Sequence, residues 1–306
     1  MKKQIALILA LALMLGCTAA MADKIGFTCM DGTNSFFIAV EAAVREIVEA
    51  KGDELISMDP KNSNEKQIAQ IEEMIADEVA AVFINPVDQN GITDGLNKLK
   101  EAFIPVFGIE TVDADMNDVT NYVESDIFNA GKVCGKDLAA RLPGGGPVIV
   151  LDSPAIPSVA ERTEGFLDAI YYTDFTVVCQ KDCLGSQEQG KLNAADALSA
   201  YPDAVAIFCG NDAIALGAVA AAEAAHSKAL IYSVGGSPEI KALIAEGKVT
   251  GAGAQSPISV GRAIAELYYQ WNSDDDDIDA VEFGKQVETF MINSDNIAEY
   301  NDGGWQ

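Results

Sequence analysis

Histidine is almost missing from this chain: His226 is the only one in 306 residues. A histidine-based catalytic triad or a Cys/His zinc site therefore has little to draw on. Cysteine is sparse as well. Beyond Cys17 there are Cys29, Cys134, Cys179, Cys183 and Cys209, an odd set at irregular spacing that makes no disulfide framework. Cys179 and Cys183 alone are placed to pair in an oxidising compartment. Basic residues are also scarce, with 20 lysines and arginines against 47 aspartates and glutamates. The formal net charge of −27 repels phosphate backbones and anionic lipid, which excludes nucleic acid as a partner. No GxGxxG segment, no GxxxxGK[ST] phosphate loop and no GxSxG elbow occurs, so no cofactor is expected and nothing announces an enzyme.

Metal ligands are equally thin. Asp113, Asp115 and Asn117 fall at calcium-loop spacing, but Asp118 stands where the sharp turn needs glycine. The acidic run Asp274 to Asp277 lacks both that glycine and a closing glutamate. No metal site is expected. After the first 22 residues, no apolar stretch approaches the roughly 18 residues that a membrane span needs.

What is present begins with residues 1–22: Lys2 and Lys3, an apolar run from Ile5 to Leu15, then small residues, the pattern of a secretory signal peptide. Two processing signals overlap there. Ala20-Met21-Ala22 is a cleavage site before Asp23, whereas Leu15-Gly16-Cys17 resembles a lipobox that would anchor the protein by lipid at Cys17. Either way the mature protein works outside the cytoplasm, free in the periplasm or at the outer face of the membrane.

From Ile25 the chain alternates short apolar runs with amphipathic stretches. Ile25 to Met30 reads as a buried parallel strand, and Phe37, Val40, Val44 and Ile47 recur at helical spacing behind it. Asn64 and Gln67 read as cap and partner of the next helix. Strands are expected at 54–58, 80–84, 105–109 and 121–123, and a second series at 148–151, 175–179, 204–208, 230–234 and 249–253. A last helix is expected over 258–271 and a last strand over 287–292. Two βα series in one chain predict an α/β protein of two doubly wound parallel-sheet lobes.

Polar residues gather at the carboxyl ends of these strands, where open α/β sheets bind ligands. They are Asn34, Asn85, Glu110, Arg162, Asn211 with Asp212, and Gln255. Amides, a carboxylate and a guanidinium each form paired hydrogen bonds to neighbouring hydroxyls. Phe36 and Phe37 beside Asn34 have two readings. They stack on a flat molecule with apolar faces and a hydroxylated rim, a sugar, or they are core residues opening the helix.

The order and spacing of Asn34-Ser35-Phe36-Phe37, Ile84-Asn85-Pro86, Ser125-Asp126, Glu161-Arg162-Thr163-Glu164-Gly165-Phe166, Gly210-Asn211-Asp212 and Ala254-Gln255 resemble the secreted sugar-binding proteins of ABC importers. These are type I periplasmic binding proteins of the ribose- and galactose-binding type. The resemblance implies two lobes on a three-strand hinge, with crossings near Ser125, Gln255 and Gly284. The first lobe would be 23–125 plus 256–284 and the second 126–255 plus 285–306. It also implies a monomer that closes on a monosaccharide, held by Asn34, Phe36, Phe37, Asn85, Glu110, Arg162, Asn211 and Gln255, and docks on an ABC permease. Three departures speak against ribose itself: Glu110 where an aspartate is usual, Thr111 beside it where ribose-type members have arginine, and Gly235 in place of another aspartate, which would leave a corner of the site empty. The second-lobe aromatic that would complete the stack falls near Leu184. Rival readings are a receptor presenting a sugar-like signal and a binding protein for a nucleoside or polyol.

Overall fold

The protein is described by a computed structural model over residues 22–110, 118–273, 282–300 and 302–306. The signal-peptide pattern, Cys17, Thr111, the Asp113–Asn117 loop and the Asp274–Asp277 run lie outside these residues. The first series is β1 (Lys24–Thr28), α1 (Ser35–Lys51), β2 (Glu54–Met58), α2 (Asn64–Ala76), β3 (Ala81–Ile84), α3 (Thr93–Glu101), β4 (Val106–Ile109) and β5 (Asn121–Ser125). The second is α4 (Ile127–Arg141), β6 (Gly146–Asp152), α5 (Pro157–Ile170), β7 (Phe175–Asp182), α6 (Gln187–Ala200), β8 (Ala206–Cys209), α7 (Asp212–Ala224), β9 (Leu230–Gly235), α8 (Pro238–Ala245) and β10 (Gly251–Ala254). Then come α9 (Pro257–Trp271), β11 (Lys285–Val287), β12 (Phe290–Asn293) and α10 (Ile297–Tyr300).

The strands form two six-stranded sheets, ordered β11-β5-β4-β3-β1-β2 and β12-β10-β9-β8-β6-β7. Every pairing is parallel except β10 with β12. Because side chains alternate across a strand, each sheet feeds two cores. Ala81 and Phe83 of β3 pack with α1 and α9, whereas Val82 and Ile84 pack with Ile71 and Met74 of α2 and Leu96 and Leu99 of α3. In the second sheet, Val148 and Val150 face Cys134, Leu138 and Phe166 of α4 and α5, and Ile149 and Leu151 join α6, α7 and α8. Burial on both faces is why the central strands read as unbroken apolar runs.

Helix α4 lies against α5 through glycines. A β-carbon on Gly131 would sit 1.7 Å from the Arg162 carbonyl oxygen, and one on Gly165 would sit 1.9 Å from that of Phe128. The two backbones touch directly, which fixes where α5 holds its side chains.

Two expected elements differ. Ser63 caps α2, its hydroxyl accepting from the Lys66 N–H at 3.4 Å, while Gln67 is buried and serves the site instead. The strand expected over 287–292 is two strands broken at Glu288-Thr289. Asn129 donates to the Thr289 carbonyl there at 2.9 Å, and Thr289 donates to the Asp126 carbonyl at 2.7 Å, so the backbone leaves the ladder. Residues 285–287, which the sequence reading puts in the second lobe, therefore pair with β5 of the first sheet. The chain passes between sheets after Ser125, after Ala254 and between Val287 and Phe290.

Cys179 and Cys183 carry free thiols. Four residues of extended chain separate them by roughly 13 Å, beyond the about 7 Å that a disulfide bridges.

Candidate ligand-binding site

Both sheets share one strand order, reversing between β1 and β3 and again between β6 and β8. The loops following these strands open the crevice in which such sheets take ligands.

On the first lobe, Asn34 caps α1 by accepting from the Phe36 N–H at 2.9 Å. Phe37 is buried in the core, as the second reading of this pair expects, but Phe36 is only half-buried and meets Phe37 edge to face at 5.4 Å. Asn85 is a cross-tie. It accepts from the Met30 N–H at 3.4 Å and donates to the Ile109 carbonyl at 3.0 Å, joining the ends of β1, β3 and β4. Gln67 donates to the Asn85 carbonyl at 2.9 Å and accepts from the Val87 N–H at 2.8 Å, pinning the loop after β3. Glu110 follows β4 in the left-handed region, φ +58°, a conformation costly for a residue with a β-carbon. Its carboxylate accepts from the Ser125 hydroxyl at 2.7 Å. Burial nevertheless raises its pKa above the ordinary glutamate range, against the pull of Ser125 and Arg162.

On the second lobe, Arg162 of α5 donates to the Gly210 carbonyl at 3.3 Å and to Gln255 Oε1 at 2.9 Å. Burial lowers its pKa, and Glu110, Asp212 and Glu161 draw it back up. With two of five guanidinium N–H groups engaged, three remain for a ligand. Asn211 caps α7, accepting from the Ile214 N–H at 2.8 Å, and donates to the Gly185 carbonyl at 3.2 Å. Leu184 is an exposed side chain and brings no ring.

The corner beside Gly235 is occupied, contrary to expectation. A β-carbon on Gly235 would come 2.6 Å from the Asp212 carboxylate, which accepts from Ser233 Oγ at 2.5 Å and from the Ser237 N–H at 2.7 Å. A carboxylate is present after all, supplied by a neighbouring strand end, and Gly235 makes room for it.

The structure thus gathers Glu110, Arg162 and Gln255 at the junction of the lobes and adds Ser125 and Asp212. Asn34 and Asn211 stand at the crevice as helix caps, Asn85 is committed to holding three strands, and Phe37 lies in the core. Sequence reasoning missed Trp305 and Gln306, which lie more than a hundred residues from most of the others. Trp305 meets Phe36 edge to face at 5.7 Å, and Gln306 donates to the Gln255 carbonyl. Among the described residues, no group of His, Cys, Asp and Glu is placed to hold a metal ion.

Glu110 makes a stability test. A carboxyl whose folded pKa is raised contributes stability below its unfolded pKa of about 4.3, and that contribution is lost as pH rises through the folded value. Glu110→Gln should melt with the parent at pH 4 and at a higher temperature by pH 7. Equal melting curves across this range, measured by circular dichroism, would remove the burial strain inferred at Glu110.

Two similar lobes, three chain crossings and a polar crevice between them define a binding protein that clasps a small solute. The chain belongs to the periplasmic binding protein family, whose domain model matches residues 25–272. It is 30% identical to the ribose import binding protein of Salmonella typhimurium, over 87% of this chain and 91% of that protein. An ABC transporter periplasmic solute-binding protein from Actinobacillus succinogenes, solved with D-allose, is 26% identical with a TM-score of 0.80, covering 91% of this chain and all of the other. A Bacillus halodurans solute-binding protein solved with myo-inositol shares the fold, with a TM-score of 0.82 at 22% identity over 94% of this chain and 100% of that one. As a family member the protein is a binder and not an enzyme, and it captures its solute outside the cytoplasm. No helix among the described residues is long and apolar enough to cross a membrane.

Proposed function

We propose that the protein captures a monosaccharide or a closely related cyclic polyol between its lobes and delivers it to an ABC permease. The observation that carries this reading is Arg162, a half-buried guanidinium with N–H groups to spare, set between carboxylates of both lobes. Neighbouring hydroxyls answer such a cluster, because each both donates and accepts. A phosphorylated or carboxylated ligand would face Glu110 and Asp212. The names of the relatives, which import ribose or bind allose, agree with the reading. Ligand drives closure only by binding the closed form better than the open one, with the three crossings as hinge. The protein works as a monomer, released after Ala22 or held by lipid at Cys17. Asn34, Phe36, Asn85 and Asn211 are assigned to the ligand site or its support.

The test is a thermal-shift screen with D-ribose, D-allose, L-arabinose and myo-inositol, and with adenosine and uridine as the opposing arm. A micromolar ligand at a hundredfold excess should stabilise by about 2.7 kcal/mol, a rise of roughly 5–10 °C. A shift from a nucleoside and none from the sugars and polyol would overturn the assignment.

A further inference from the structure

Residues 302–306 form a strap between the lobes. Helix α10 packs on α8, and beyond it Asp302 pairs at 3.8 Å with Lys241, whose side chain is fully buried on α8. Gln306 then donates to the Gln255 carbonyl at the end of β10 and lies beside Gly236, so the strap is fastened to the second lobe. Trp305 between these anchors reaches the first lobe, placing its ring edge to face on Phe36 at 5.7 Å.

Five buried side-chain polar atoms among the described residues lack a hydrogen-bond partner, and three of them belong to the strap and to the arginine that shares Gln255 with it: Arg162 Nε, Trp305 Nε1 and Gln306 Oε1. Arg162 and Gln306 both bond Gln255, and Trp305 adjoins Gln306. Two donors and one acceptor beside a pair of aromatic rings describe the surroundings of a ring bearing hydroxyls. A strap that plugged the crevice in place of ligand would have spent its polar atoms on Arg162. It leaves them and Arg162 Nε unpaired instead, at a cost of about 1–3 kcal/mol each in a buried setting.

We propose that Trp305 and Gln306 are ligand-contacting residues: Trp305 supplies the aromatic wall of the second lobe and a hydrogen bond from its indole, and Gln306 accepts from a hydroxyl. This rests on the reading of the crevice as a sugar site.

The chain has two tryptophans, and the other, Trp271, packs at 5.8 Å on Phe107 in the first-lobe core. A sugar-dependent change in indole emission is therefore expected from Trp305. Titration of D-ribose, D-allose, L-arabinose and myo-inositol into the wild type should give one or more saturable emission changes, absent in Trp305→Phe. By calorimetry, Trp305→Phe should weaken that sugar about tenfold through the lost N–H bond, and Trp305→Ala by about thirtyfold or more through the lost ring as well. The sugar-free melting temperature of both should stay near wild type. Unchanged or tighter binding by Trp305→Ala, with Arg162→Ala inactive, would overturn the strap's role and leave the sugar reading standing. No binding of any of the four by the wild type would take down both.

Discussion

Arg162→Ala is expected to abolish the sugar-induced thermal shift while the far-ultraviolet circular dichroism stays that of the parent. The guanidinium joins Gly210 and Gln255 of the second lobe and lies in the field of Glu110 from the first. Its removal takes away charge-assisted bonds to the ligand at about 1.5–3 kcal/mol each, so affinity should fall by at least about a hundredfold. It also leaves Glu110 and Asp212 facing one crevice with their cation gone, and both carboxyls already have pKa values raised by burial. Closure should then become harder with or without ligand. Arg162→Lys should recover only part of the affinity, because an ammonium keeps the charge and loses the planar fork. A full sugar-dependent shift in Arg162→Ala would remove this residue from the site.

The largest effect on stability is expected at a residue that touches no ligand. In Gly165→Ala the new methyl would overlap the Phe128 carbonyl oxygen at 1.9 Å, a backbone atom that cannot rotate away. Helices α4 and α5 would have to part by more than an ångström, and the closely packed layer of Phe166, Cys134 and Leu138 would open with them. Such overpacking costs about 3 kcal/mol or more, a fall in melting temperature of roughly 10 °C. Arg162 rides on the displaced helix, so sugar affinity should fall together with stability. A melting temperature within 2 °C or so of the parent would show that the helices separate easily.

How much of this was legible beforehand depended on the range of the interaction. The βα alternation could be read because buried parallel strands are short apolar runs and their helices keep one apolar face, and β2 falls at its expected bounds. Asn34 and Asn211 could be picked out because caps follow strand ends, yet the cap itself consumes the side-chain oxygen, so the same signal marks a turn and a site. Phe36 and Phe37 are neighbours in sequence with opposite fates, since successive positions of a helix point about 100° apart. The split at Thr289 was invisible because the bonds that break the strand come from Asn129 and Asp126, about 160 residues earlier. Asp212 was in view, but nothing local shows that it fills the space over Gly235.

By itself the sequence determined the class of the molecule: an acidic, extracytoplasmic, two-lobed α/β protein with polar residues at the carboxyl ends of its strands. These follow from composition, period and strand-end chemistry, which are local along the chain. Only the tertiary structure decided which of those residues meet, that Asn85 ties strands together, that Asp212 stands in for the side chain Gly235 lacks, and that Trp305 closes over Phe36. Each of these is a contact between segments whose sequence separation carries no signal, formed only when two sheets and a strap are packed to van der Waals distance.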